Sequence, residues 1–351
     1  MSRAIRHCHY RGFPRVSVVI PCYNYGNYLP GAVASVLNQG GVEVDVLIID
    51  DASPDGSAAV AQRLASSDSR VRLIAHRNNA GHIATYNEGL SKAEGTYLLL
   101  LSADDLLTPG SLSRATTLME EVPSVGLVYG FAPPFVSSPP PARGTARGWT
   151  VWRGHEWIAT VARRARNPVR TPTAVLRREV HEGSGGYDPR LRHAADFLMW
   201  LQAAVHWDIG YVRGADQAFY REHGANMHST EWAGLLTDIE TRVELFDVFF
   251  SECFAGSGET DRLRLLANEA LATDALRMVR SQGARTRQIA HELHGLLQLA
   301  ERLSPAKHRN VARLRARMKH SPRAIASWQS TTFEWRSRAN WHLWRQLGVY
   351  P

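Results

Sequence analysis

The 351-residue chain carries 41 Lys and Arg against 33 Asp and Glu, for a formal net charge of +8 at pH 7, with 44% apolar and 21% charged residues. This is the composition of an ordinary globular protein, not of a disordered chain, and no apolar run approaches the ~20 residues of a membrane span. The length allows one large domain, or a catalytic domain with an appendage.

Charge is unevenly spread. Acidic clusters stand at Asp50, Asp51, Asp55, Asp104 and Asp105, while residues 262–345 are strongly basic. A basic balance favours anionic partners without choosing among nucleic acid, acidic lipid and a diphosphate. Cys8, Cys22 and Cys253 are odd in number and widely spaced, so they form neither a disulfide framework nor a zinc site of recognisable spacing, and the expected compartment is the cytoplasm. Residues 1–13 read as a polar, basic extension without the apolar stretch of a signal peptide.

From residue 16 to residue 130, β-branched runs alternate with amphipathic segments, the mark of a βαβ-type parallel sheet. Strands are expected at 16–20, 44–49, 71–75, 96–101 and 125–129, and nearly continuous apolar character suits strands covered on both faces. Helices are expected at 29–38, 56–67 and 83–92. In such sheets ligands bind outside the carboxyl ends of the strands. The first strand runs into Pro21-Cys22-Tyr23-Asn24, the second into Asp50-Asp51, and the fourth into Ser102-Ala103-Asp104-Asp105. These three polar clusters should gather along one edge.

Residues 132–148 hold five prolines without periodicity and read as an irregular loop. A strand is expected at 171–176, a turn at 185–188, a helix at 195–205, and short strands at 209–212 and 217–220. Beyond residue 231 the pattern is helical, at 232–250, 265–279 and 289–303.

A carboxylate pair directly after a buried strand is costly unless a cation or hydrogen bonds compensate. Asp104-Asp105 is such a pair, and hard oxygen ligands on a loop suit Mg²⁺ or Mn²⁺ when a diphosphate fills the remaining positions. The competing reading is a helix cap before Thr108-Pro109-Gly110. Asp51 can accept hydrogen bonds from a ribose or base, whereas Ser53 and Asp55 read as turn and cap residues.

Taken in order, Val16 to Tyr25, Leu47 to Ser57, Arg77-Asn78-Asn79-Ala80-Gly81, Tyr86-Asn87-Glu88-Gly89-Leu90, and Ser102 to Asp105 with Pro109-Gly110 resemble glycosyltransferase family 2. The likeness covers residues 14–229 and implies a GT-A fold: an α/β, Rossmann-like, mostly parallel sheet flanked by helices, followed here by an all-helical region at 231–351. It implies a nucleotide-sugar part at 14–130 and an acceptor part at 150–230. By the same resemblance Pro21, Tyr23, Asn24, Asp51 and Asn79 line the nucleotide pocket, with Tyr23 packing on the base. Asp105 would bind the divalent cation, Mn²⁺ or Mg²⁺, with Asp104 near the ribose or a metal-bound water.

Gly185-Gly186-Tyr187-Asp188 and the following Ala195-Asp196 resemble the acceptor segment, with Asp196 as general base. Tyr220-Arg221-Glu222-His223, with Asn226 and Ser229, resembles the closing segment in which Arg221 or His223 reaches the diphosphate, His223 also as a metal ligand. The sequence departs from the family at Ser102, commonly Asp, and at Ala195, commonly Glu.

The implied activity is inverting transfer of a sugar from a nucleoside-diphosphate donor to an acceptor nucleophile, on a natural-product scaffold or a cell-envelope glycan precursor. A non-catalytic nucleotide-sugar or anionic-polymer binding protein and a nucleotidyltransferase are the alternatives. A nucleotidyltransferase would be expected to carry a Gly-rich, basic phosphate loop after the first strand, and Cys22 to Gly26 is not one. No nucleic-acid partner is expected. The helical region leaves open a homodimer interface, an acceptor-binding cap and a peripheral membrane contact, beside plain packing.

Overall fold

A computed structural model describes residues 2–6, 12–224, 234–256, 258–281, 287–320 and 343–349. Asn226, Ser229 and the aromatic-rich stretch 328–341 lie outside them.

The described residues fall into two compact units: Met1–Trp157, Val169–His223 and Arg345–Gly348 in the first; Ile158–Pro168, Gly224–Trp344 and Val349–Pro351 in the second. In the first unit the elements run β1 (Arg3–Ile5), β2 (Arg15–Cys22), α1 (Leu29–Leu37), β3 (Glu43–Asp50), α2 (Ser57–Ser67), β4 (Val71–Ala75), α3 (His82–Ser91), β5 (Tyr97–Leu100), β6 (Leu106–Leu107), α4 (Ser111–Glu121), β7 (Val125–Phe131), β8 (Pro134–Phe135) and β9 (Gly148–Trp152). Helix α5 (Gly154–Ala162) comes next, then β10 (Val175–Arg177), α6 (Arg178–Ser184), α7 (Ala195–His206), β11 (Asp208–Asp216) and β12 (Ala218–Arg221).

Nine strands form one mixed sheet in the order β1-β9-β11-β7-β10-β5-β2-β3-β4. The pairs β2·β3, β2·β5, β3·β4 and β7·β11 are parallel. The chain steps from β2 through β3 to β4 and then returns to place β5 on the other side of β2. That reversal opens a crevice at the carboxyl ends of β2 and β5, the switch point where open α/β sheets take ligands. Val16, Val18, Val19, Ile20, Val46, Ile48, Leu98 and Leu99 are all but fully buried, as helices on both faces require.

Gly89 shows how closely α3 lies on the sheet: a Cβ there would stand 2.3 Å from Val19 Cγ1. A second, three-stranded sheet, β6-β12-β8, pairs Phe219 with Leu106 and Arg221 with Phe135. It carries the end of β12 back beside the Asp104-Asp105 turn.

Two sequence expectations change. Residues 171–176 are not one strand: Thr171–Thr173 is a 3₁₀ turn, and only Val175–Arg177 joins the sheet, antiparallel to β5 and β7. Pro172 explains this, having no N–H to give a ladder and a ring that suits a first helical turn. Asp104-Asp105 does not cap a helix, because α4 begins only at Ser111 after Gly110. The sequence reading also passed over α4, α5 and β9. Residues 132–148 are irregular apart from β8 and the first residue of β9.

The second unit is helical: α8 (Leu235–Val248), α9 (Thr260–Ser281), α10 (Arg287–Leu303) and α11 (His308–His320). Its core includes Leu263, Leu271, Leu293, Leu296 and Val311. Asp274 is buried and receives Arg166 at 2.7 Å, Arg242 at 3.0 Å and Arg277 at 2.6 Å. A buried carboxylate is tolerated when it is surrounded by donors in this way. No helix among the described residues is long and apolar enough to cross a membrane.

Candidate active site

Cys22 and Asp50 pair across the ends of β2 and β3, and the Asp51 N–H donates to the Cys22 carbonyl at 2.9 Å. Leu101 N–H donates to Val19 O at 2.9 Å, which brings the Ser102–Asp105 turn to the same rim. The three polar clusters do gather at one edge of the sheet.

The two acidic pairs are used differently. Asp104 Oδ2 lies 2.9 Å from His223 Nε2, with the two side chains only 7% and 16% exposed. His223 is framed by Tyr25 edge-on at 5.5 Å and Tyr28 stacked at 5.6 Å. Asp105 instead turns into the protein, where its Oδ1 accepts the Arg221 N–H at 2.8 Å. Burial, and then the neighbouring charge of Asp104, push the Asp105 carboxyl well above the usual carboxylate range. The sequence reading had put the cation chiefly on Asp105; the carboxylate that meets His223 is Asp104.

A cation fits this donor set. One carboxylate oxygen and one imidazole nitrogen converge, and the described residues hold no cluster of three or more His, Cys, Asp and Glu side chains. Two protein ligands leave most positions to diphosphate oxygens and water, the pattern of Mg²⁺ and Mn²⁺ in phosphate sites.

Arg221 reaches the rim, but its guanidinium is spent on the protein. Nε donates to Asp104 O at 2.9 Å and Nη1 to Val136 O at 3.2 Å, while the plane lies over Tyr28 and Phe135 at 4.6 and 4.3 Å. It braces the turn that presents Asp104.

At the β3 end, Asp51 is enclosed. Its Oδ1 is 2.7 Å from His76 Nδ1 and accepts the Ala80 N–H at 2.7 Å, and its Oδ2 accepts the Gly81 N–H at 3.0 Å. Burial opposes the charge, yet hydrogen bonds from Ala80 and His76 hold the Asp51 carboxyl below its usual range. Asn79 Nδ2 donates to the Asp51 carbonyl at 3.2 Å. Asp50 accepts the Ser53 N–H on Oδ2 at 3.1 Å, and its buried Oδ1 has no partner among the described residues.

Pro21 and Asn24 stand at the mouth, Asn24 in the left-handed region at φ 61° with its N–H on Ser53 Oγ at 3.0 Å. Tyr23 is 46% exposed, a large ring left open to solvent at that mouth. The Cys22 thiol is buried and pushed up to about 11 chiefly by that burial, which makes it inert.

On the opposite wall, Asp196 sits in the first turn of α7, where the cap position is Ala194. Its Oδ2 accepts the Thr171 hydroxyl at 3.0 Å and its Oδ1 the Phe197 N–H at 2.6 Å. The approach to α7 is fixed from α3. Asn87 donates to Tyr187 O at 2.8 Å and accepts the Tyr187 N–H at 2.7 Å, clamping the Gly185-Gly186 turn. Tyr86, beside Asn87, has its phenol pushed up by burial and by the charges of Asp104 and Asp196. The Asp104 and Asp196 carboxylates therefore both lie within electrostatic reach of the Tyr86 phenol.

Sequence reasoning gave no role to His76, Tyr25, Tyr28 or Tyr86. Tyr25 and Tyr86 belonged to quoted motifs, Tyr28 lay just past one, and His76 followed a strand end, where only its position one residue before Arg77-Asn78-Asn79 could have flagged it.

Residues 17–185 match the family model described as Glycosyl transferase family 2. Among curated proteins, an uncharacterized glycosyltransferase of Haemophilus influenzae is 34% identical over 30% of this chain and 42% of its own length. A second from the same organism is 24% identical over 60% of this chain and 66% of its own. The chain thus spans about two fifths to two thirds of the length of these relatives. Among solved structures, Staphylococcus aureus TarS 1–349 in complex with UDP-GlcNAc superposes with a TM-score of 0.62 at 17% identity, covering 89% of this chain and 90% of that one. The fold is thus of the GT-A type: a mostly parallel sheet flanked by helices, with a helical region after it. Residues 17–185 carry a glycosyltransferase family 2 domain.

Proposed function

We propose that this protein is a cation-dependent, inverting glycosyltransferase that moves a sugar from a nucleoside-diphosphate donor to an acceptor hydroxyl. The reading rests on one observation: Asp104 and His223, 119 residues apart, meet at 2.9 Å at the switch-point crevice.

The exposed Tyr23 ring packs on the nucleobase, and Pro21, Asn24, Asp51 and Asn79 frame that pocket. Asp104 and His223 would hold Mn²⁺ or Mg²⁺, which when bound would supply positive charge to the departing diphosphate. Asp196 takes the proton of the acceptor hydroxyl as that oxygen bonds to the anomeric carbon and the bond to the diphosphate breaks. Thr171 and the Phe197 N–H keep the Asp196 carboxylate in place. The barrier falls through alignment of acceptor and donor and through electrostatic stabilisation of the leaving group. Residues 14–130 serve the donor and 150–230 the acceptor.

Calorimetric titration of UDP, GDP and dTDP with Mn²⁺, Mg²⁺ or EDTA tests this on the wild type, Asp104→Ala and Asp105→Asn. Binding of one nucleotide that needs the metal, is lost in Asp104→Ala and persists in Asp105→Asn is expected. Well-folded wild type that binds none of the three overturns the reading.

A further inference from the structure

His76 lies outside the cation and acceptor groups, yet its side chain is held on both ring nitrogens beside the donor pocket. Its Nδ1 is 2.7 Å from Asp51 Oδ1 and its Nε2 is 2.7 Å from Glu88 Oε2. A carboxylate only accepts, so both ring nitrogens must donate, and only the doubly protonated imidazolium does so. The ring is 13% exposed and Asp51 5%. The groups facing it are Asp51 from the end of β3 and Glu88 from α3, and Lys92, one turn further along α3, is 3.8 Å from Glu88. The first of these is the main reason that the His76 pKa rises above its ordinary value.

The position has consequences beyond a surface ion pair. The His76 N–H donates to Asp50 O at 2.9 Å, so the residue is anchored by its main chain to the strand whose end it clasps by its side chain. The same Asp51 carboxylate gathers the Ala80 and Gly81 N–H groups, and its carbonyl takes Asn79. Gly81 opens α3 at φ 85°, where a side chain is strained. His76 therefore ties the end of β3, the turn after β4 and helix α3 to one another, on the side of the crevice away from Asp104 and His223.

We propose that His76 is a positioning residue for the donor pocket: as an imidazolium bridging Asp51 and Glu88 it sets the 76–81 turn, and hence nucleotide affinity. It touches neither donor nor acceptor. The proposal rests on the donor-pocket reading above. Neutralising His76 leaves one of its nitrogens with a lone pair facing a carboxylate, so the clasp weakens as pH rises through the raised His76 pKa.

The test is the dissociation constant of whichever of UDP, GDP or dTDP binds, measured with Mg²⁺ between pH 6 and 9 on the wild type, His76→Gln and His76→Ala. A charge-assisted pair of this kind should be worth on the order of a ten-fold weakening in His76→Gln at pH 6. The ratio of variant to wild type should shrink toward one at the alkaline end, as the wild type loses the same charge. His223 is present unchanged in all three proteins, so its contribution cancels in that ratio. His76→Ala should be weaker than His76→Gln, which keeps one donor. Equal affinities at pH 6, or a ratio that does not change with pH in folded variants, overturns the clasp while leaving the glycosyltransferase reading standing. Failure of the wild type to bind any of the nucleotides removes both.

Discussion

The two acidic pairs at the crevice are built from the same residues after similar strands, yet their surroundings divide the labour in opposite ways. At Asp104-Asp105 the first carboxylate faces His223 and the second is turned inward onto the Arg221 N–H. At Asp50-Asp51 the second carboxylate gathers His76 and two main-chain N–H groups, while the first keeps one buried oxygen without a partner among the described residues. In each pair the two adjacent carboxylates therefore meet different partners. Which partner each meets depends on the elements that arrive from elsewhere.

Substitutions break or sharpen that comparison. Asp104→Asn should cost most, a loss of sugar transfer on the order of 10³-fold together with metal-dependent nucleotide binding, read by donor turnover and calorimetry. Asp196→Asn should lower transfer by roughly 10²–10⁴-fold with nucleotide affinity unchanged, as removal of a general base requires; equal loss of nucleotide binding would show that Asp196 serves the donor instead. Asp105→Asn should be the mildest of the three, within about ten-fold in turnover. Its amide oxygen can still accept the Arg221 N–H, and burial already disfavours the charge it removes. A variant as damaged as Asp104→Asn would reverse the division of labour.

Stability effects are smaller. Gly89→Ala should lower stability by about 1–3 kcal/mol in urea melts, because its Cβ would meet Val19 Cγ1 at 2.3 Å. The clasp adds a pH signature. Asp51, with its carboxyl depressed, contributes stability above its unfolded value of about 3.9 and loses it as pH falls through the folded pKa. His76, with its pKa raised, contributes fully below its unfolded value of about 6.5 and loses that share as pH rises through the folded one. The difference in melting temperature between wild type and His76→Gln should therefore be greatest between about pH 4.5 and 6.5 and fade at alkaline pH.

Much of the first unit was legible in the chain. The strands at 16–20, 44–49 and 71–75 fall within β2, β3 and β4, because runs such as Val44 to Ile49 are rich in β-branched residues, apolar but for Asp45, and bounded by turn residues. Helix α4 was passed over although Leu112, Ala115, Leu118 and Met119 recur at helical spacing, and its burial of Arg114, Thr116 and Thr117 as well is a product of packing that polar residue types do not announce. Asp104, Asp196 and His223 were each visible as motif residues. Motif spacing does not say which way a side chain turns, so the contacts of Asp104 with His223 and of the Arg221 guanidinium with Asp104 O could not be read from the chain.

Sequence by itself determined the βαβ framework, the ends of the strands and the residue types gathered there, since these follow from local periodicity and turn chemistry. Only the tertiary structure decided which carboxylate of each pair meets a partner. Pairing of β12 with β6 carries His223 to Asp104, and the turn after β4 closes His76 onto Asp51. Those contacts join residues 119 and 25 positions apart, and the geometry that selects them is a property of packing, which no local pattern encodes.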